Sequence, residues 1–258
     1  MTLTEARERY LAEMAPLART GEPPVRDKPS FRAEVAEGVT TVYVYDIIDE
    51  WWGVSAEEVS KAVAAATTDT ILVRINSPGG SVLDGFAIYN ALARAQEAGK
   101  TVKVSVDGLA ASIASLIAMA GEETTMQVGS FLMVHKAWVF VMGNASELRK
   151  QATILDGFDQ QLTAVYAARS ELTIDEVSAM LEAETWLSAA QAVEMGFAQV
   201  AVEPVKAPDS DDGPDVQNQA VIEPVGEVPE PVGAPVGTHS AGELRKRIAS
   251  VLTGTEKE

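Results

Sequence analysis

Between Phe31 and about Val202 the sequence switches repeatedly from strand-like to helix-like periodicity, and that alternation narrows the possible folds more than any other feature. VTTVYVYDII and TILVRI are dense in β-branched and aromatic residues, as strands are. Between them, SAEEVSKAVAAA opens on a serine with an acidic residue three positions on, the mark of a helix N-terminus. SVLDGFAIYNALARAQEAG reads as a helix stopped by Gly99. The strand TVKVSV, the apolar helix AASIASLIAMAG and the strand FLMVH follow. Strands alternating with helices of this length predict βαβ units and a largely parallel sheet, an α/β fold. A long helix is expected from about Ser146 to Ser170, with Leu148, Ala152, Leu155, Phe158, Leu162 and Val165 spaced by threes and fours. LSAAQAVEMGFAQV closes the pattern with a short helix, a stop at Gly196 and a last strand. No internal repeat is present.

The flanks have a different character. Residues 1–30 read as a helical arm, TLTEARERYLAEMAPLART, and a proline-rich linker; 31–202 form the folded domain. Residues 203–242 hold seven prolines, many acids and no aromatic side chain. Such a segment buries too little apolar surface to offset its chain entropy, so a disordered acidic linker is expected there. Residues 243–258, beginning ELRKRIASVL, carry basic amphipathic sequence and are expected to form a short helix. The N-terminal MTLTEARERY lacks the apolar core of a secretory signal. Gly108 to Gly121, the longest uncharged apolar stretch, falls short of the roughly 20 residues a spanning helix needs.

Composition removes several chemistries. With 38 acidic against 20 basic residues the net charge is -18, so the far field repels nucleic acid and anionic membranes, and neither is expected as a partner. There are no cysteines, which excludes disulfides, thiolate metal sites and a cysteine nucleophile. Two histidines, His135 and His239, are too few for a multi-histidine metal centre. No metal or organic cofactor is indicated.

Three loops at the carboxyl ends of the expected strands are where an open α/β sheet places its site. Asn76-Ser77-Pro78-Gly79-Gly80-Ser81 carries paired glycines before a helix, a means of aiming backbone N–H groups at an oxyanion. Asp107-Gly108-Leu109-Ala110-Ala111-Ser112 puts a serine at the start of the apolar helix, with its hydroxyl at the positive end of the dipole. Val134-His135-Lys136 ends the apolar strand on an imidazole. Taken singly, each has an ordinary structural explanation: a tight turn, a small packing residue, a core histidine. Together they supply the nucleophile, base and oxyanion donors of acyl-transfer hydrolysis.

INSPGGSVLDGFAIYNAL, VDGLAASIASLIAMAG, FLMVHKAW and ETWLSAAQAVEMGF, in that order, resemble the ClpP family of serine peptidases. The likeness is greatest to the ClpP-related head-maturation proteases of tailed phages and prophages, and it covers about Val39 to Val200. It implies a ClpP/crotonase-like spiral of ββα units with a long handle helix, and a triad in the order serine, histidine, acid. Matched residue by residue, Ser112 is the nucleophile and His135 the base. The N–H groups of Gly80 and Ile113 form the oxyanion hole. The acid is Glu184, where the family proper has aspartate; Glu182 is the alternative. Ser115, one turn after Ser112, is expected to be a packing residue, and Lys136 to face away from the site. The apolar loop Ala137–Val141 lines the substrate groove or a subunit interface, with the interface favoured.

The function this implies is a ring-forming, ATP-independent or weakly ATP-dependent serine endopeptidase. Its substrates would be phage capsid or scaffold subunits, and its place the host bacterial cytoplasm or the prohead interior. The rivals are a housekeeping proteolytic subunit working with an unfoldase, an inactive scaffold of the same fold, and a crotonase-type acyl-CoA enzyme.

Overall fold

The computed structural model describes residues 31–205. The arm and linker of 1–30, the 243–258 segment and all but the first three residues of 203–242 lie outside the described residues.

The described residues open with a hairpin the periodicity did not reveal. β1 (Arg32–Ala36) pairs antiparallel with β2 (Val39–Val44) across a turn at Glu37 and Gly38. Every residue of β1 is exposed, so no apolar alternation marks it. What holds it is cross-strand: the Arg32 guanidinium lies 3.5 Å from the centroid of the Tyr43 ring, and the Tyr43 hydroxyl donates to Glu34 at 2.5 Å.

From β2 onward the expected alternation appears. β3 (Thr70–Ser77) pairs parallel with β2, and β4 (Thr101–Ala111) parallel with β3. The helices between them, α1 (Ala56–Ala65) and α2 (Val82–Glu97), both start at capping serines: Ser55, as expected, accepts from the Glu58 N–H, and Ser81, which heads the second helical stretch, accepts from the Asp84 N–H. Val42, Val44, Ile71, Val73 and Ile75 are fully buried in the core these layers enclose.

The decisive feature is the length of β4. The sequence suggested a strand ending near Val106 and then a loop; instead β4 runs for 11 residues. Its first half pairs with β5 (Glu123–Met126) and its second half, Leu109 to Ala111, with β6 (Phe131–Val134). A single strand therefore carries two successive parallel partners along one edge, and its register against β3 shifts between Ile75 and Ser77 as it passes from one to the other. The main sheet runs β1-β2-β3-β4-β5 and ends on β8 (Val200–Ala201), while β6, with β7 (Thr185–Ser188) beside it, branches from β4.

The short α3 (Ile113–Ala118) is buried throughout and is only six residues long, half of what its apolar run suggests. The long helix α4 (Ala145–Arg169) begins with a capping box between Asn144 and Glu147. Its stripe is covered only toward the C-terminal end: Leu162 is buried and Leu155 and Phe158 half-buried, while Leu148 and Ala152 are exposed. A further helix unmarked in the sequence reading, α5 (Ile174–Glu182), follows behind a Thr173/Glu176 capping box. β7 (Thr185–Ser188) returns antiparallel to β6, α6 (Ala189–Glu194) begins at a Ser188/Gln191 box, and β8 (Val200–Ala201) joins β5. No helix among the described residues is long and apolar enough to cross a membrane.

Candidate active site

Ser112 and His135 are 23 residues apart in sequence and meet because β4 and β6 are paired to their ends. Ala111 lies opposite Met133, and the Ser112 N–H donates to the Met133 carbonyl at 2.9 Å. One residue past β6, the His135 ring arrives with Nε2 2.7 Å from Ser112 Oγ. That is hydrogen-bond distance for a hydroxyl and the imidazole that accepts its proton.

The serine does not sit as its sequence position suggests. It precedes α3 rather than occupying its first turn, has φ 55° and ψ -131°, and its hydroxyl makes no capping bond. A non-glycine residue at positive φ stores local strain and sharpens the turn from strand to helix. The turn projects the hydroxyl toward His135, and with a helix of six residues the dipole contributes little. The hydroxyl is engaged by the hydrogen bond to His135 and not by the helix.

The glycine loop packs directly against it. A Cβ built on Gly79 would lie 2.6 Å from Ser112 Cβ and 3.2 Å from the Ile113 nitrogen. Buried Ile48 clamps the loop from the other side: its N–H donates to Gly79 O at 2.8 Å and its carbonyl accepts from the Ser81 N–H at 2.7 Å. Those bonds bypass the N–H groups of Gly80 and Ile113, the two expected oxyanion donors.

Beneath the serine lies a buried polar relay. The Ser115 hydroxyl donates to the Ser112 carbonyl at 2.6 Å. Its single proton being spent there, it accepts from the Tyr166 hydroxyl of α4 at 2.8 Å. Ser115 is thus a core residue, as expected, but with a hydrogen-bonding task that Tyr166 completes and that sequence reading did not find. Tyr166→Phe should lower stability by about 1 kcal/mol, read from denaturant unfolding, because it deletes one buried bond while Ser115 keeps the other. It should leave Ser112 the reactive residue.

Burial holds His135 below its ordinary imidazole value, and the charges of Glu184 and then Asp159 partly counter this. A base so placed is neutral, and able to accept a proton, at neutral pH. Glu184 follows α5 directly, exposed and at φ 49°, and acts on the ring through charge; among the described residues no carboxylate is hydrogen-bonded to His135. Glu182 is engaged elsewhere, in an exposed ion pair with Lys136. Lys136 is accordingly bound away from the serine.

Asp159 was not among the sequence candidates. It sits on α4, half-buried, and accepts the Ala137 N–H at 2.8 Å. Nothing in its local sequence separates it from the other acids on that helix. Among the described residues no cluster of three or more histidines or acids is placed to hold a metal ion.

A strand-to-helix turn presenting a strained serine to a buried imidazole, beside a glycine loop, is the arrangement of a serine hydrolase. The model of the Clp protease family matches residues 53–204, more than half of the chain. The chain belongs to the Clp protease family, a family of serine peptidases. It is 34% identical over 137 residues to the ATP-dependent Clp protease proteolytic subunit of Chlorella vulgaris, covering 52% of this chain and 66% of that one. To the corresponding subunit of Bacteroides thetaiotaomicron it is 31% identical over 129 residues, covering 49% and 57%. Proteolytic subunit 1 of Leifsonia xyli subsp. xyli is 29% identical over 146 residues, covering 55% and 73%.

Proposed function

We propose that this protein is a self-assembling serine endopeptidase in which Ser112 attacks the peptide carbonyl and His135 takes its proton. The observation that carries this reading is the 2.7 Å contact between Ser112 Oγ and His135 Nε2. As the Ser112 Oγ–C bond forms, the proton passes to Nε2. The carbonyl oxygen gains negative charge, which the N–H groups of Gly80 and Ile113 stabilise, and Glu184 offsets the imidazolium charge. His135 then gives the proton to the leaving amine, and water, deprotonated by the same ring, releases the acyl group from Ser112. No metal or cofactor enters these steps.

The test is fluorophosphonate labelling with the adduct located by peptide mass spectrometry. An adduct on Ser112 that disappears in His135→Ala supports the reading. An adduct elsewhere, or none in any oligomeric fraction, counts against it.

Because burial depresses His135, the acidic limb of kcat/KM should fall below pH 6.5, the ordinary imidazole value. Glu184→Gln removes a charge that favours the protonated ring, so the limb should move to still lower pH. Its rate should fall about tenfold to a hundredfold, less than the ~10⁴-fold cost of losing a hydrogen-bonded triad acid. A limb moving upward would remove Glu184 from the site.

We further propose processing of phage capsid or scaffold subunits during head maturation, in the bacterial cytoplasm or within the prohead, by a ring of identical chains. The four motifs resemble such proteases, and an acidic proline-rich stretch leading to a basic one suits docking on coat or scaffold. Deleting residues 240–258 should then abolish incorporation into proheads and leave peptide hydrolysis intact. A housekeeping role is favoured instead by the names of the relatives, all ATP-dependent proteolytic subunits. Cleavage of purified scaffold without ATP supports the first reading; degradation only with an ATP-driven unfoldase supports the second. The geometry retained at Ser112 speaks against an inactive scaffold.

A further inference from the structure

His135 is left without a hydrogen-bonded acid, while the segment that carries it is pinned from two sides. The Lys136 N–H donates to the Leu181 carbonyl of α5 at 3.1 Å, and the Ala137 N–H donates to Asp159 Oδ1 of α4 at 2.8 Å. The acid that holds the backbone two residues after the base is therefore a side chain of the long helix, half-buried and accepting a backbone N–H. Glu184, the acid that the sequence singled out, is exposed.

We propose that Asp159 is a second acid of this site: a positioning residue that fixes the backbone following His135 and shares with Glu184 the stabilisation of the protonated imidazole. The inference rests on the reading of Ser112 and His135 as the catalytic pair. No bond is made or broken at Asp159; it accepts the Ala137 N–H throughout, and its negative charge favours the protonated ring as the Ser112 proton arrives.

The charges around the pair are few. Glu184 and Asp159 act on His135, Glu184 the more strongly. Asp159 in turn feels Lys136 and Asp156, and burial lifts it above the usual aspartate value, as expected of a carboxylate held in a partly apolar setting. Lys136 is itself neutralised by Glu182. An arrangement with two moderately placed acids explains how an exposed glutamate at positive φ can stand where a buried hydrogen-bonded aspartate would otherwise be needed. It also makes the base depend on α4, so that any shift of the long helix reaches the imidazole through one hydrogen bond.

The two histidines of the chain make the test direct. The ring-carbon NMR signal of His135 is assigned with His239→Gln and titrated in the full-length protein and in Asp159→Asn, Asp159→Ala and Glu184→Gln. Asp159→Asn keeps an oxygen for the Ala137 N–H and removes only the charge. It should lower the His135 midpoint by about 0.5 pH units, and combination with Glu184→Gln should lower it further. Asp159→Ala should lower the midpoint equally and, having lost the Ala137 anchor as well, should label at Ser112 at least threefold more slowly than Asp159→Asn. An unchanged midpoint in Asp159→Asn beside a lowered one in Glu184→Gln overturns the proposal. Equal labelling of the alanine and asparagine variants overturns the anchoring half. The titration needs no turnover, so a wild-type protein that fails to label at Ser112 would defeat the catalytic reading by itself, separately from this result.

Discussion

Ser112→Ala should abolish peptide hydrolysis, by about 10⁴-fold or more, while the protein stays folded. The two effects separate because the structure assigns the hydroxyl and the backbone of this residue to different tasks. The hydroxyl caps nothing and faces His135 at 2.7 Å. The backbone is held by its own N–H to Met133 O and by the Ser115 hydroxyl on its carbonyl, and alanine keeps both. Alanine at φ 55° carries the same strain that serine already carries, so the unfolding midpoint should move little. His135→Ala should cost a similar factor, and the double variant hardly more, since the two groups act as one unit. Hydrolysis persisting in Ser112→Ala would place the nucleophile elsewhere.

Gly80→Ala should damage both stability and rate. Gly80 has φ +150°, and a Cβ there would lie 2.1 Å from the carbonyl oxygen of Ile48. That oxygen cannot retreat: Ile48 is fully buried, and its bonds to Gly79 and Ser81 close the loop. Accommodation requires the loop itself to shift, which re-aims the Gly80 N–H. Loss of one oxyanion donor is worth about 10²–10³-fold in kcat. Strain with a backbone clash should cost a further 2–4 kcal/mol or so in stability. Calorimetry and kinetics on the same preparation read both; wild-type kcat in a destabilised Gly80→Ala would show that this N–H is not an oxyanion donor.

Much of the site was legible because its parts are local. The caps at Ser55 and Ser81, the helix stop at Gly99, the glycine pair and the serine ahead of an apolar helix are each written in a few adjacent residues. Family likeness then ordered Ser112, His135 and Glu184. Two of the elements that escaped carry weak local signals: β1 is exposed on every residue and β5 is four residues of Glu-Thr-Thr-Met. α5 is different, because its Thr173/Glu176 capping box and the apolar Ile174, Val177, Met180 and Leu181 at helical spacing form a local helix signal that went unread.

The sequence by itself determined that this chain is an α/β protein carrying a hydroxyl, an imidazole and a paired-glycine loop at the ends of its strands, and that cysteine and multi-histidine chemistry are excluded. Tertiary structure alone decided that β4 continues to Ala111 and pairs with β6, which brings serine to histidine. It likewise decided that the Ser115–Tyr166 relay and Asp159 of the long helix stand behind that pair. The division has a physical cause. Capping, turn strain and periodicity are set by residues a few positions apart. The partner of a strand edge, and the charge that faces a buried ring, are set by packing between segments 20 or more residues distant, to which local sequence gives no weight.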